Sequence, residues 1–393
     1  MRILFYRYGS ICEDDILNCM QESGHEVTEI KEEITNKNVT FAQSAELVAK
    51  SLESKAEDCV FTINFYPAIS EVCNIYHIRY ISWIVDSPVL ELFSKSITNP
   101  WNRVFLFDRV QFEEIAPFNP NCVFHYPLAV DVFGKQKVIK EATPDLIKKF
   151  SSDVSFVGSL YTEKSSFDKL KNPPEYLQGY LQGIIEAQLK VYGYYFVKDM
   201  LTQDIVNQFI EHMPDFYRYP LESFLTDEDT ISQYYIGNKI TAVERPRIMK
   251  LLADKMKIDI YTGSNTRNMP SNLKNHGFVK TLTEMPIVFH ESKINLNPTS
   301  KAIRSGVPLR VFDIMACEGF MISNYQIEMA ELFVPGEDFV YYESIEQIPE
   351  LVDYYLEHDS ERKEIAHNAF VKVRDEYSYM KRLNELLLTA FSV

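Results

Sequence analysis

The sequence predicts an α/β protein of two domains, each a parallel sheet covered by helices on both faces. Three observations predict it. Short apolar runs alternate with helical segments along most of the chain. The alternation breaks near residue 150 and then resumes. The length, 393 residues with 24% charged and 46% hydrophobic, suits two or three domains of ~150 residues each.

The elements follow in chain order. Arg2–Tyr6 is a short apolar strand, followed by the turn Arg7–Cys12 and a helix over Asp14–Ser23. Gly24 fits the position just past that helix, and Glu26–Ile30 is the second strand. Phe41–Ser54 has a helical pattern. Cys59–Asn64, Tyr80–Val85, Arg103–Phe107 and Cys122–Tyr126 are further strands, the second of them stopped by Asp86-Ser87-Pro88. Lys135–Lys149 is charged, contains a proline and lacks an apolar period, so it is expected to be a linker. Val154–Gly158 opens the second half. Pro173 to about Tyr235 is helical and rich in tyrosine, with Leu177, Leu181, Ile184, Ile185 and Leu189 on one face and Pro174 near the first turn. Helices are expected at Lys239–Asp254, Leu309–Cys317, Ile348–Glu357, Ser360–Asp375 and Met380–Ala390. Strands are expected at Ile258–Tyr261, within Phe289–Leu296, at Phe320–Ser323 and at Asp338–Tyr342.

Composition excludes several functions. The chain has 26 Phe and 24 Tyr but only 13 Gly, roughly half the ~7% of average usage. No glycines fall in the G-x-G-x-x-G spacing, and no G-x-x-x-x-G-K-[ST] occurs, so both phosphate-cradling loops are missing. A net charge of −16 with no basic run argues against nucleic acid, which is bound by displacing counterions with Lys and Arg. A small anion needs only a few cations and a helix N-terminus. The cysteines Cys12, Cys19, Cys59, Cys73, Cys122 and Cys317 form no C-x-x-C pair, and no zinc site is visible. Met1-Arg2 leads straight into a strand and no apolar run nears the ~18 residues of a membrane span. Free thiols, no secretory signal, no transmembrane segment and a cytoplasmic location are the expectation.

Ligands of open α/β sheets bind beyond the carboxyl ends of strands. Gly9, Gly158, Gly263 and Gly306 sit at such ends or before a helix, where a glycine serves either a turn or a close ligand approach. Ser292–Asn324 is the richest stretch: strand, polar loop, helix, strand. Asn295 and Asn297 end the strand, and Lys301, Arg304 and Arg310 surround the helix start, an arrangement suited to a diphosphate. Asp313 lies one turn inside. Its carboxylate can accept from the vicinal hydroxyls of a ribose, or form an ordinary i,i+3 pair with Arg310.

The segment PLRVFDIMACEGFMISNYQIEMAELFVPGEDFVYYES, together with RYISWIVDSP, VFLFDR, DVSFVGSLY and ESKINLNPT, resembles GT-B glycosyltransferases. More narrowly, it resembles the CgeB-like spore-maturation family. The resemblance covers nearly the whole chain, least distinctively over 165–235. It implies two Rossmann-like domains facing across a cleft: residues 1–150 on the acceptor side, and 151–375 on the nucleotide-sugar side with a helical insertion at about 165–235. Residues 376–393 would form a closing helix packed back on the first domain. It further implies transfer of a hexosyl or N-acetylhexosaminyl group from a nucleotide-diphosphate sugar, a UDP-sugar first. The acceptor would be a polysaccharide, a protein or another cell- or spore-surface molecule, with no bound metal and no tightly held cofactor. By motif, Asp313 matches the second acid of the Glu-x7-Glu signature, which contacts the ribose. The first acid falls on Ser305, which departs from the pattern and leaves retention or inversion open. Gly158 and Ser159 match the loop near the phosphates. Tyr261 and Gly263 match the region that holds the base.

Transfer needs charge stabilisation on the departing diphosphate, for which Arg310, Arg304 and Lys301 are the local candidates. Arg245, Arg247 and Lys250 form a second basic cluster whose alternative is a solvated helix face. An inverting route needs a base, and Asp86 at the end of its strand is the preferred one, the other role being a turn residue. Asp14 and His125 are weaker. Gly9, Ser10 and His125 are placed on the acceptor side, His125 being equally suited to the core. Asp227-Glu228-Asp229 has the D-x-D form of metal-dependent enzymes but sits in a helical stretch and is taken as a helix start or loop. The insertion's tyrosines suit either a sugar acceptor or a filled core. Two other functions stand beside transfer: an inactive nucleotide-sugar-binding scaffold, motivated by Ser305, and another GT-B enzyme such as an epimerase or a hydrolase. A homo-oligomer is left open.

Overall fold

The computed structural model describes residues 1–53 and 57–392. Strands form where the apolar runs predict them. Cys59–Ile63 and Arg79–Ile84 are buried along almost their whole length, as strands covered on both faces must be. In the first sheet β1 is Arg2–Tyr6, β2 Glu26–Ile30, β3 Cys59–Ile63, β4 Arg79–Ile84, β5 Asn102–Leu106 and β6 Val123–His125. Their order is β2-β1-β3-β4-β5-β6. In the second, β7 is Ser152–Val157, β8 Ile258–Tyr261, β9 Leu273–Asn275, β10 Ser292–Asn297, β11 Met321–Asn324 and β12 Val340–Tyr342. Their order is β12-β11-β10-β7-β8-β9. All pairings are parallel. The strand order reverses between β1 and β3 and again between β7 and β10, which opens a crevice at the carboxyl ends of each pair.

Several boundaries differ from the sequence reading. Lys135–Lys149 is not a linker: it folds as parts of the helices Val132–Lys140 and Pro144–Phe150. Asp131 caps the first by accepting from Gly134 N, and Thr143 caps the second with Pro144 in its first turn. The apolar period is weak because Lys135 itself is buried, its stem and charge both turned inward. The helical run from Pro173 is interrupted. Helices span Glu175–Leu189 and Gln203–His212, and residues 213–226 form an irregular strap before a π-helical turn at Thr230–Ile236 and the helix Gly237–Ala253. Phe289 belongs to the helix Met285–Glu291, which precedes β10. The helix that begins at Phe41 runs to Leu52, and Ser54, its expected end, lies outside the described residues. Helices at Pro67–Tyr76, Arg109–Ile115 and Ile327–Leu332 and strand β9 had no counterpart in the sequence reading.

The two halves share apolar packing. One buried cluster joins Phe5, Trp83 and Phe105 to Val311, Phe312 and Met315 by way of Tyr379, Leu383 and Leu386. The last of these lie on the helix Tyr379–Ser392, which packs on Glu13–Glu22 of the first half. The insertion has a core of its own, built from Leu177, Leu181, Val206, Phe209 and Ile236.

Candidate active site

The carboxyl ends of β7 and β10 form the crevice of the second sheet. Gly158 follows β7 and gives its N–H to the Tyr261 carbonyl at the end of β8, 3.1 Å away. The Ser159 hydroxyl donates to Glu163 at 2.7 Å and accepts from Tyr161 N. Asn297 closes β10, its amide reaching Thr299 Oγ1 at 3.1 Å and Ser323 Oγ at 3.0 Å. Arg245, half-buried on the helix behind, staples the crevice. It donates to the Ser159 carbonyl at 2.6 Å and to the Pro298 carbonyl at 3.0 and 2.8 Å. Three of its five N–H groups are thereby engaged with backbone. Arg247 turns away to pair with Glu186, and Lys250 points to solvent.

At the end of β8, Tyr261 stacks on His276 with ring centroids 4.9 Å apart. His276 in turn meets Asp259 at 2.6 Å. Gly263 lies under the ring of Phe278. A Cβ on Gly263 would come within 2.1 Å of Phe278 Cζ, so a larger residue there would require the ring to swing aside. Phe278 is 87% exposed and stands beside Tyr261 and Gly263, the region expected to hold a base. The sequence reading missed both Phe278 and His276.

The three cations expected around the helix start divide. Lys301 is buried over the Tyr192 ring, with its ammonium 3.0 Å from the Val191 carbonyl and 3.7 Å from Glu244. Burial pulls its amine down to about 8, partly opposed by Glu244. Arg304 forms a bidentate pair with Glu114 of the first half, both contacts at 2.6 Å. Neither head group is open to a diphosphate; both brace the loop after β10. Arg310 keeps a quarter of its side chain exposed. It lies against Met285 and over the Phe289 ring, 3.4 Å from Asp313. It stands on the helix Leu309–Ala316, which starts after Pro308 with no side-chain cap; Val311 N is held by the Pro308 carbonyl, which leaves the Leu309 and Arg310 amides to face an anion.

Asp313 is mostly buried between Arg310 and Lys135, whose ammonium is 3.1 Å from Asp313 and 3.9 Å from Asp15. Burial raises the Asp15 carboxyl to about 7, against the opposing pull of Lys135. Burial would lower the Lys135 ammonium, but Asp313 and Asp15 beside it hold it above its ordinary value. The i,i+3 pair of Arg310 and Asp313 therefore exists, inside a larger charge group that includes both halves.

The first sheet presents its own carboxyl ends to this crevice. Gly9, with φ +89°, follows β1 and donates to the buried Glu13 carboxylate at 2.9 Å. The Ser10 hydroxyl rests 3.5 Å from Cys12 Sγ. Asp14 is engaged by Arg7. Asp86 ends the segment after β4 and is exposed. Asn64, in the left-handed region at φ 58°, donates to Asp86 Oδ2 at 2.7 Å and accepts from the Val85 amide. Among the described residues Asp86 Oδ1 has no hydrogen-bond partner. His125, at the far edge on β6, does not join Gly9 and Asp86. It pairs with Glu328 at 2.7 Å, a hydrogen bond that raises its pKa despite burial.

Asp108, which the sequence reading passed over, ties the two sets together. It caps its own helix by accepting from Val110 N and Gln111 N. It also accepts from Ser87 Oγ at 3.0 Å, Arg304 N at 2.8 Å and Ser305 Oγ at 2.9 Å. The turn carrying Asp86 is thus linked to the loop carrying Ser305. Gly306 makes the junction possible: a Cβ there would lie 2.7 Å from Phe107 Cδ2 and 2.8 Å from Asp108 Cα. Asp227–Asp229 is a helical turn capped by Thr226, with Asp229 held by Lys198 at 2.5 Å. Among the described residues no group of three or more His, Cys, Asp or Glu is arranged to hold a metal ion. None of their helices is long and apolar enough to cross a membrane. All six cysteines are free and buried.

Comparison with known proteins agrees with this fold. A family model described as glycosyl transferase-like matches residues 245–388. No curated protein matches. HepE from Anabaena, solved in complex with UDP-glucose, is 13% identical with a TM-score of 0.54, all of both chains being covered. A UDP-forming α,α-trehalose-phosphate synthase from Burkholderia xenovorans is 12% identical with a TM-score of 0.55, covering 100% of this chain and 99% of that one. Sucrose-phosphate synthase from Thermosynechococcus elongatus is 9% identical with a TM-score of 0.57, again over 100% and 99%. The fold is GT-B.

Proposed function

We propose that this protein is a glycosyltransferase that moves a hexosyl or N-acetylhexosaminyl group from a nucleotide-diphosphate sugar, a UDP-sugar first, to a hydroxyl of a polysaccharide, protein or other cell- or spore-surface acceptor. The observation that carries the proposal is the glycosyl transferase-like match over residues 245–388, which takes in the crevice residues from Arg245 to Asp313 but not β7 with Gly158 and Ser159. The UDP preference is supported by HepE, which was solved with UDP-glucose. Residues 151–375 serve the donor, residues 1–150 the acceptor, and 376–393 fasten the two.

In this scheme the base lies by Tyr261, Gly263 and Phe278, and the ribose by Asp313. The diphosphate meets Gly158, Ser159, Arg310 and the uncapped helix start. Lys301, Arg304 and Asn297 hold the loop that lines the crevice. The acceptor oxygen attacks the anomeric carbon. The bond from that carbon to the diphosphate breaks, and the nucleoside diphosphate leaves with the electron pair. Arg310 and the helix amides stabilise that negative charge without a metal ion. In an inverting reaction the acceptor proton passes to Asp86. In a retaining one it passes to the departing phosphate, and Asp86 orients the hydroxyl.

The test is nucleotide release from UDP-, GDP- and TDP-sugars with and without acceptors. Acceptor-stimulated UDP release supports transfer; donor binding without turnover on any pairing supports the scaffold. Asp86→Asn should cut turnover by about a hundredfold with donor affinity unchanged, and a wild-type rate would remove it from the chemistry. The scaffold reading has one observation in its favour: Ser305 stands where an acid is expected, and its hydroxyl is already bound to Asp108.

A further inference from the structure

A cleft of about 880 Å³ lies at the carboxyl ends of β1, β3 and β4. It is lined by Tyr8, Tyr66 and Asp86, from the loops after β1, β3 and β4, and by Tyr217, Tyr219, Pro220 and Leu221 of the strap in the insertion. The strap is fastened to the first half beyond the cleft. Phe224 N donates to the Phe93 carbonyl at 2.7 Å, Lys95 N donates to the Glu222 carbonyl at 3.0 Å, and Phe118 stacks on Phe224 at 4.1 Å. The insertion is therefore a structural wall of this cleft as well as a helical packing unit.

The lining has a definite chemistry. Tyr8, Tyr66, Tyr217 and Tyr219 supply aromatic faces, and Glu33, Asp86 and Glu91 supply carboxylates. No Lys or Arg lines the cleft among the described residues. The flanking cations are already engaged and lie outside the lining: Lys37 gives its ammonium to the Tyr8 carbonyl, and Arg218 reaches toward Asp227. Aromatic faces pack against the C–H face of a sugar ring, and carboxylates accept from its hydroxyls. A phosphate or uronate here would meet like charges with no counter-ion, which is disfavoured in a partly desolvated cleft. At its inner end the cleft meets the donor loop, where the hydroxyl of Ser87, next to Asp86, lies 3.5 Å from the Ala302 carbonyl.

We propose that this cleft binds the acceptor and selects an uncharged, ring-bearing polyhydroxyl end, such as a neutral glycan terminus, over a phosphorylated or carboxylated one. The inference rests on the glycosyl-transfer reading for the identity of its ligand as acceptor, but the binding itself is tested without turnover.

The probes are maltotriose, cellotriose and tri-N-acetylchitotriose as neutral sugars, and glucose 6-phosphate and glucuronate as anions. They are titrated into the full chain by calorimetry, with saturation-transfer NMR for weak binding. At least one neutral trisaccharide should bind, and each anion should bind at least about tenfold more weakly. Tyr219→Ala should weaken the neutral sugar by about tenfold, and Glu91→Gln should narrow the gap between neutral and anionic probes. If Tyr219→Ala does not fold by circular dichroism, Tyr219→Leu and Glu91→Gln carry the test. An anion that binds as tightly as the best neutral sugar, no binding by any trisaccharide, or unchanged affinity in the Tyr219 variant overturns the proposal. UDP is titrated in the same samples. UDP binding alongside failed sugar binding strikes this inference alone, and sugar binding alongside failed UDP binding strikes the donor reading alone.

Discussion

Asp108→Ala is expected to loosen the joint between the two halves. The carboxylate is fully buried and accepts from the Val110 and Gln111 amides, Ser87, the Arg304 amide and Ser305. Losing a helix N-cap costs about 1 kcal/mol. Leaving a buried donor unpaired costs about 1–3 kcal/mol, and the substitution strands three that do not belong to the cap. These terms share one acceptor and cannot add in full, so a loss of about 3–5 kcal/mol is expected. Asp108→Asn keeps the shape and one acceptor oxygen, and about half that loss should follow. Urea denaturation followed by far-UV circular dichroism measures both, and UDP titration at low urea reads the donor loop. The Ala variant should also bind UDP more weakly, because Arg304 N and Ser305 lose their anchor. A stability loss below about 1 kcal/mol, or an Asn variant as damaged as the Ala one, would refute the accounting.

Gly306→Ala places a Cβ 2.7–2.8 Å from Phe107 and Asp108; a loss of about 1–3 kcal/mol in a urea melt is expected, and a neutral result would show that the joint can open without cost. Asp313→Ala removes both the proposed ribose acceptor and the nearer partner of Lys135; UDP should bind about ten- to a hundredfold more weakly by calorimetry, and an unchanged dissociation constant would sink the ribose role. Asp15 supplies a pH test. Its folded pKa, raised to about 7 by burial, lies above the unfolded value of ~3.9, so the folded state binds the extra proton and this group's contribution falls as pH rises between those values. Asp15→Asn should therefore help more at pH 8 than at pH 5, by about 2 kcal/mol in paired urea melts; a variant less stabilised at pH 8 than at pH 5 would contradict the sign.

The sheets were legible because a buried parallel strand leaves a local signature. Arg2–Tyr6, Glu26–Ile30 and Ile258–Tyr261 were read to the residue, and the order of strands then set the two crevices. Val132–Lys140 was illegible because its inward face carries Lys135, and a lysine reads as solvent-facing until its carboxylate partners arrive from Asp15 and Asp313. The strap at 213–226 was misread as helix although Pro214 and Pro220 interrupt it, and what sets its path is backbone pairing with Phe93 and Lys95, far away in sequence. Phe278 left no signal at all: a single exposed aromatic has no period, and its partner, Gly263, shows only that a ring comes close.

Charge at the candidate site shows the same limit most sharply. Lys301, Arg304 and Arg310 are equivalent as letters grouped before a helix. In the fold they are not, because a buried charge must be paired. Glu114 reaches Arg304 from the first half, and the Val191 carbonyl and Glu244 receive Lys301 from the insertion and its neighbouring helix. Both cations are thereby converted from ligand contacts into braces. Arg310 keeps its exposure because its neighbours are a thioether, an aromatic face and a carboxylate already held by Lys135. The same logic applies to the missing acid. The carboxylate set against Ser305 comes from Asp108, 197 residues away in the chain. It also holds the turn that presents Asp86. Under the proposed function a substitution at 108 should therefore act on both substrates at once, and one at 310 on the donor alone. That difference, read as a paired change in donor and acceptor affinity against a donor-only change, separates a brace from a ligand contact in a way that residue type never could.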